Sequence, residues 1–372
     1  MDFSYSLKVE ILFGKGKIDQ LDQICKSHNL KNGLLVCDPM FAENGLAAKV
    51  VAFAPDTITC VFSDITPNPT VENVNACTQL IRDKNISFIV ALGGGSSLDC
   101  AKAASVVAYT GHPVQYFHSQ GGKVIEPGIP VLAVPTTAGT GSEVTNVAVL
   151  SDHKLGIKGP MASDFMYPKL AIIDPLLTLT VPAKVVASTG LDVLSHALEG
   201  YWSKNHQPIC DAYAIYAAKI VFENLYRSYS DNQDIDAREK MCVASLIAGL
   251  AFAHPKTAAS HACSFPLTNI YHIPHGEACA FTLDALIGIN SEVDFSRINE
   301  FARMAGFTSP HEMQNKVTEL KKKTGMCCTL MEAGIDIADL PKLVGACKHP
   351  NLLNNPVEMT EERLMNMFLS MK

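Results

Sequence analysis

The sequence predicts a doubly wound, Rossmann-like α/β domain followed by an all-helical domain, and three observations carry that reading. Short, unbroken apolar runs alternate with helical stretches up to about residue 180; a glycine-rich loop follows one of those runs; and strand-like runs almost vanish after Pro182. Unbroken apolar segments mark parallel strands covered on both faces. We therefore divide the chain near residue 180, with 1–180 as the α/β domain and 181–372 as the helical one.

The strands are Leu34–Cys37, Thr59–Phe62, Phe88–Leu92 and Pro130–Val134. Between the second and third, Val71–Lys84 sets Val74, Cys77, Thr78 and Ile81 on one helical side. Asn146–Leu150 and Lys154–Lys158, separated by Ser151–His153, read as a β-hairpin. Val185–Trp202, Pro208–Tyr229 and Ala237–Phe252 are the main helices of the second half. Beyond Phe295 no motif suggests chemistry, and no internal repeat or low-complexity segment occurs. A crevice between the two halves is the expected place for a ligand.

Composition narrows the partners. The 372 residues are 48% apolar, enough for a core in each unit. Thirty Lys and Arg against 37 Asp and Glu give a net charge of −7 without long runs of one sign. Neither nucleic acid nor an anionic membrane is expected; a small molecule is. The longest uncharged stretch, Met241–Pro255, falls short of the roughly 20 apolar residues a bilayer span needs. The start, MDFSYSLKVE, lacks the basic flank and apolar core of a signal peptide. Twelve cysteines without a Cys-x-x-Cys pair read as reduced, buried small hydrophobes in a cytoplasmic chain.

Two loops suit a phosphate-bearing ligand. Strand Phe88–Leu92 runs into Gly93-Gly94-Gly95-Ser96, followed by a helical stretch over Cys100–Tyr109; the backbone there can approach a ligand and the helix start offers free N–H groups. The spacing matches neither Gly-x-Gly-x-x-Gly nor a Walker loop, and a plain tight turn is the alternative. Pro135-Thr136-Thr137-Ala138-Gly139-Thr140-Gly141-Ser142-Glu143 follows another strand, and its four hydroxyls suit a phosphate or ribose; an N-capped loop is the alternative. Two such loops favour a dinucleotide over a lone phosphate. Asp38, at a strand tip before Pro39, suits the ribose hydroxyls and would repel a 2′-phosphate, favouring NAD over NADP; it equally suits a turn.

A further set suits a metal. Asp192 and His196 lie four apart on one face of an apolar helix, with His261 and His275 farther on. One carboxylate and three imidazoles would bind a divalent transition metal and leave positions open for substrate. Taken singly, these residues read as a surface pair and packing histidines.

Together, Gly93-Gly94-Gly95-Ser96-x-x-Asp99-x-x-Lys102, the Pro135–Glu143 segment, Gly190–Glu199 and Pro274-His275-Gly276 resemble the iron-containing (group III) alcohol dehydrogenases over essentially the whole chain. The resemblance implies a dehydroquinate synthase-like fold, NAD(H) on the first domain and a catalytic divalent metal, Fe²⁺ or Zn²⁺, on the second. It makes Asp192, His196, His261 and His275 the metal ligands. Gly94, Gly95, Ser96, Asp99, Thr136, Thr137, Thr140, Ser142 and Lys158 fall where the family touches its cofactor, with Asp38 at the position that selects NAD. The family often carries a second histidine four residues after the third ligand, a candidate for proton relay; here that position is Phe265. Asp99 and His254 are the catalytic candidates left, with water and ribose hydroxyls as the other route. Phe252, His254, Lys256 and Phe265 are the candidate substrate pocket.

His261–Thr268 and Tyr201–Pro208 are similar to the branch that reduces small aldehydes with an anionic sulfonate or phosphonate head group. The expectation is an NADH-linked reductase, a homodimer, converting sulfoacetaldehyde to isethionate. Phosphonoacetaldehyde and lactaldehyde-type substrates are the alternatives. A non-redox metallolyase of the dehydroquinate synthase type and a catalytically silent metal-binding or filament-forming subunit are the rivals from other classes.

Overall fold

A computed structural model describes residues 2–293 and 295–372. The described residues form two compact units. One comprises Ser6–Thr137 with Ser142–Thr178; the other comprises Leu179–Lys372 with the residues through Tyr5 and the short segment Ala138–Gly141.

In chain order the strands are β1 (Glu10–Phe13), β2 (Gly33–Cys37), β3 (Ile58–Phe62), β4 (Phe88–Gly93), β5 (Val131–Pro135), β6 (Val147–Asp152), β7 (Ile157–Ala162) and β8 (Leu170–Ile173). The helices are α1 (Leu21–Ser27), α2 (Pro39–Glu43), α3 (Leu46–Ala52), α4 (Val71–Asp83), α5 (Gly95–Val107), α6 (Val114–His118), α7 (Ala183–Trp202), α8 (Pro208–Ser230), α9 (Ile235–Phe252), α10 (Ala259–Tyr271), α11 (His275–Val293), α12 (Phe295–Met304), α13 (Pro310–Lys323), α14 (Leu340–Ala346) and α15 (Glu361–Leu369).

The first unit is a parallel sheet in the order β1-β8-β5-β4-β2-β3, with the antiparallel hairpin β6-β7 beside it. Successive side chains on a strand point to opposite faces, so each central strand feeds two cores. Leu34, Val36, Ile89, Ala91, Val131 and Ala133 pack with α4 and α5. Leu35, Cys37, Val90, Leu92, Leu132 and Val134 pack with α1, α2 and α3 on the other face. Burying one Leu or Val of this kind stabilises the fold by roughly 1.5–3 kcal/mol. That double burial explains the unbroken apolar runs.

Three sequence expectations need correction. Strands β1 and β8 were not expected, because their pairing with each other spans more than 150 residues and no local pattern signals it. Helix α5 begins at Gly95, directly after the glycines, not at Cys100. The hairpin turn lies at 153–156, beyond the expected Ser151–His153. The reason is Asp152, whose buried carboxylate accepts from the backbone N–H groups of Lys154 and Leu155 and forms the turn, while Gly156 supplies the positive φ.

In the second unit α7 is the central element, buried from Gly190 to Trp202 and packed by α8, α9 and α11. Close approach of α11 to α7 requires Gly276: a Cβ there would sit 2.2 Å from the Ser188 carbonyl oxygen. The Ser188 hydroxyl accepts from the Glu277 N–H at 3.0 Å, fixing the start of α11 against α7.

Candidate functional site

The helical unit brings four chemistry-bearing side chains together through three elements. Asp192 and His196 lie one turn apart on α7, His261 is in the first turn of α10, and His275 opens α11. The Nε2 atoms of His196 and His261 face each other at 3.0 Å. Asp192 Oδ1 lies 3.6 Å from His261 Nε2 and 3.9 Å from His196 Nε2, and the His261 and His275 ring centroids are 5.6 Å apart. Cys279, on α11 one turn past His275, brings its Sγ to 3.7 Å from His275 Nε2.

Glu199 organises this centre. It is fully buried on α7, and its Oε1 accepts from the Ser260 N–H at 2.6 Å and the His261 N–H at 3.4 Å, placing a carboxylate at the α10 N-terminus. Its Oε2 accepts from His261 Nδ1. A hydrogen on Nδ1 leaves the Nε2 lone pair directed at the other donors, the tautomer a metal ligand needs. The sequence reading quoted Glu199 in its motif but gave it no role. The i, i+3 spacing from His196 was the available signal.

The electrostatics of the cluster suit a cation. Burial pushes the Asp192 carboxyl up to about 6 despite the pull of His261. Burial also holds His196 well below the ordinary histidine value, so it is neutral with a lone pair to give. Burial opposes charge on His261 as well, yet the Cys279 and Glu199 groups outweigh it and raise that imidazole well above its usual range. Asp192 Oδ1 is a buried acceptor without a hydrogen-bond partner among the described residues. An orphaned carboxylate oxygen facing imidazole nitrogens fits a divalent ion.

The predicted pocket residues divide. Phe252, at the end of α9, stacks on His196 with ring centroids 4.2 Å apart and covers that side of the donors. Phe265 packs against His349 at 4.5 Å. His254 packs on Tyr5 at 5.1 Å, and Lys256, held at φ 67, turns its ammonium back to the Ala253 carbonyl at 2.7 Å. His349 carries no motif that singles it out in the sequence. It is half-buried and caps the turn Pro350–Asn354 through Nδ1, which accepts from the Asn351 N–H at 3.2 Å. Asn351 and Asn354 donate to Thr257, and Asn354 accepts from the Lys204 N–H, so this turn is tied to 204 and 257.

In the α/β unit, Gly94 is the N-cap residue of α5 and Thr136 donates its N–H to the Gly93 carbonyl at 2.9 Å, bringing the two predicted loops together. Gly94 has no side chain to cap the helix and no other side chain does so, which leaves the first amides of α5 to an anion. Asn68, unsuspected from sequence, links two predicted contacts: its N–H donates to Ser96 Oγ, and Lys158 donates to its Oδ1 at 2.9 Å. Thr140 belongs to the segment grouped with the helical unit. Asp38 accepts from the Met40 N–H at 2.9 Å and caps α2. Both Asp99 oxygens are engaged within its own unit, one by Ser142 at 2.6 Å and Lys102 at 3.2 Å, the other by the Val149 N–H at 2.8 Å. Lys102 is fully buried and donates to the carbonyls of Ser142, Thr145 and Val147.

Comparison with known proteins agrees with this geometry. The family profile described as iron-containing alcohol dehydrogenase matches residues 9–175, and the C-terminal profile of the same family matches 186–371. The chain belongs to the iron-containing alcohol dehydrogenases, metal-dependent oxidoreductases. Among solved structures it is similar to a sulfoacetaldehyde reductase from Bifidobacterium kashiwanohense, crystallised with NAD⁺: 45% identity, TM-score 0.97, covering 100% of this chain and 99% of that one. It is 37% identical to a 1-propanol dehydrogenase of Citrobacter freundii over 81% of this chain and 77% of that protein. It is 31% identical to alcohol dehydrogenase 4 of Saccharomyces cerevisiae over 95% and 94%.

Two outcomes follow. Glu199→Gln keeps the size but removes the charge behind His261, and should weaken metal binding roughly 10–100-fold in a chelator competition titration; unchanged affinity would remove Glu199 from the centre. Burial, only partly offset by Lys102, pushes the Glu143 carboxyl up to about 7 from 4.5. Its favourable contribution is full below about 4.5 and is lost as the pH rises through about 7. Glu143→Gln should therefore gain on wild type with rising pH, by on the order of 3 kcal/mol above pH 7, in urea unfolding at several pH values; parallel pH profiles would contradict this.

Proposed function

We propose that this chain is an NADH-linked, metal-dependent reductase of small aldehydes, and that its substrate is sulfoacetaldehyde, giving isethionate. The observation that carries the reading is the convergence of the Asp192, His196, His261 and His275 donors, with Glu199 setting the His261 tautomer. When bound, a divalent ion polarises the carbonyl as a Lewis acid, and NADH supplies the hydride.

The protein's share is binding and orientation. Asp192, His196, His261 and His275 would hold the ion, and Phe252 keeps water from the His196 side. Gly94, Gly95 and the α5 amide end would take the cofactor pyrophosphate, Ser96, Thr136, Thr137, Thr140, Ser142 and Lys158 would complete its cradle, and Asp38 would select NAD. Phe265 carries no proton, so delivery falls to water and ribose hydroxyls. The free cysteines of the described residues fit a reducing, cytoplasmic setting.

The likeness to a sulfoacetaldehyde reductase supports the head group, and His349 gives it a physical basis. With Nδ1 accepting from Asn351, the neutral ring carries its hydrogen on Nε2 and offers an N–H donor to an anionic oxygen beside Phe265. Burial holds His349 below the usual histidine value, which keeps that neutral form.

NADH oxidation by the metal-loaded protein, followed with sulfoacetaldehyde, phosphonoacetaldehyde, acetaldehyde, propanal and lactaldehyde, tests both parts. The highest kcat/KM is expected for sulfoacetaldehyde. His349→Ala should raise its KM about tenfold or more, leaving propanal turnover nearly unchanged. No sustained NADH oxidation with any aldehyde would overturn the reductase, and a uniform loss across substrates would overturn the role of His349.

A further inference from the structure

The threonine-rich loop does not belong to one unit throughout. Pro135–Thr137 and Ser142–Glu143 lie in the α/β unit, whereas Ala138–Gly141 between them is part of the helical unit. We propose that this segment couples the two ligands: Gly139 is a positioning residue for His196, and a metal ion held by His196 orders the loop that would take the cofactor, so that each ligand raises the affinity for the other. The inference rests on the metal and cofactor reading above and not on the aldehyde.

The segment is seated on α7 and α9. Ala138 packs against the core of the helical unit. Gly139 is pressed onto α7, where a Cβ would lie 2.6 Å from the Cβ of Thr189, two turns before His196. Thr189 is itself held, its hydroxyl donating to the Val185 carbonyl at 2.9 Å. Gly141, at φ 61, is pressed onto α9, where a Cβ would lie 2.6 Å from Gly249 Cα and 3.5 Å from the Phe252 ring. Phe252 in turn stacks on His196.

His196 supplies the link. Its Nε2 faces His261 Nε2, which turns Nδ1 to the other side of the ring. That nitrogen is buried and reaches no partner at full hydrogen-bond distance among the described residues. The backbone of Gly139 is a neighbour that favours a hydrogen on this imidazole. A metal at Nε2 requires the hydrogen on Nδ1, and the Gly139 carbonyl is then its acceptor. A buried N–H left without an acceptor is costly, so metal entry draws Gly139 into one position, and with it Thr137 and Ser142 at the two ends of the segment. Coupling between two binding sites is reciprocal, so the cofactor must tighten the metal by the same factor.

The test uses the full chain and Zn²⁺. Without cofactor, one equivalent of Zn²⁺ should slow amide hydrogen exchange over residues 136–143 severalfold, read by mass spectrometry. The NADH Kd, from fluorescence titration, should be about fivefold or more lower with Zn²⁺ than without it, and chelator competition should show Zn²⁺ affinity raised by the same factor at saturating NADH. Gly139→Ala pushes the segment off Thr189 and should bring that factor close to one while both ligands still bind. Should Gly139→Ala fail to fold, the exchange measurement on wild type decides. Zn²⁺ that binds without slowing exchange over 136–143, or a coupling factor that persists in folded Gly139→Ala, overturns the proposal and leaves the metal centre and the cofactor site standing. A chain that fails to bind Zn²⁺ or NADH overturns the proposal together with the reading beneath it.

Discussion

The hydrogen bonds of Glu199 are the constraint on which the rest of the helical unit depends. One buried carboxylate caps the start of α10 and orients the imidazole of His261, and both tasks must be done from α7. An uncompensated carboxylate in such surroundings costs several kcal/mol, so it persists only because its lone pairs are taken by N–H donors. The same helix carries His196 and Asp192 one and two turns earlier. A single helix thereby supplies two donors and the group that aims a third.

The surrounding packing serves this arrangement. Gly276 lets the start of α11 touch α7, Ser188 caps it, and His275 is thereby held at the same point from the other side. Phe252 stacks on His196 and limits its rotation. In the α/β unit a comparable role falls to Lys102, whose buried ammonium gathers the carbonyls of Ser142, Thr145 and Val147 and, with Asp99, fixes the loop that follows the threonine-rich motif. Buried charge there shapes backbone; in the helical unit it shapes a ligand set.

What was legible in the sequence was whatever burial imprints on consecutive residues. Strands β2, β4 and β5 are buried on both faces, and their unbroken apolar runs gave their positions to within a residue. The i, i+4 pair Asp192 and His196 stood out because polar residues interrupt an otherwise apolar helix. Strands β1 and β8 were not legible, since their identity comes from pairing with each other across more than 150 residues. His349 was missed for the same reason: its contact with Phe265 crosses more than 80 positions.

The most direct measurement of the central claim is anomalous X-ray scattering from crystals of the metal-loaded protein, recorded at the absorption edge of the bound ion. The account predicts one strong peak bounded by the side chains of Asp192, His196, His261 and His275, with Glu199 behind His261. A peak elsewhere, or a loaded protein with none among these residues, would contradict it.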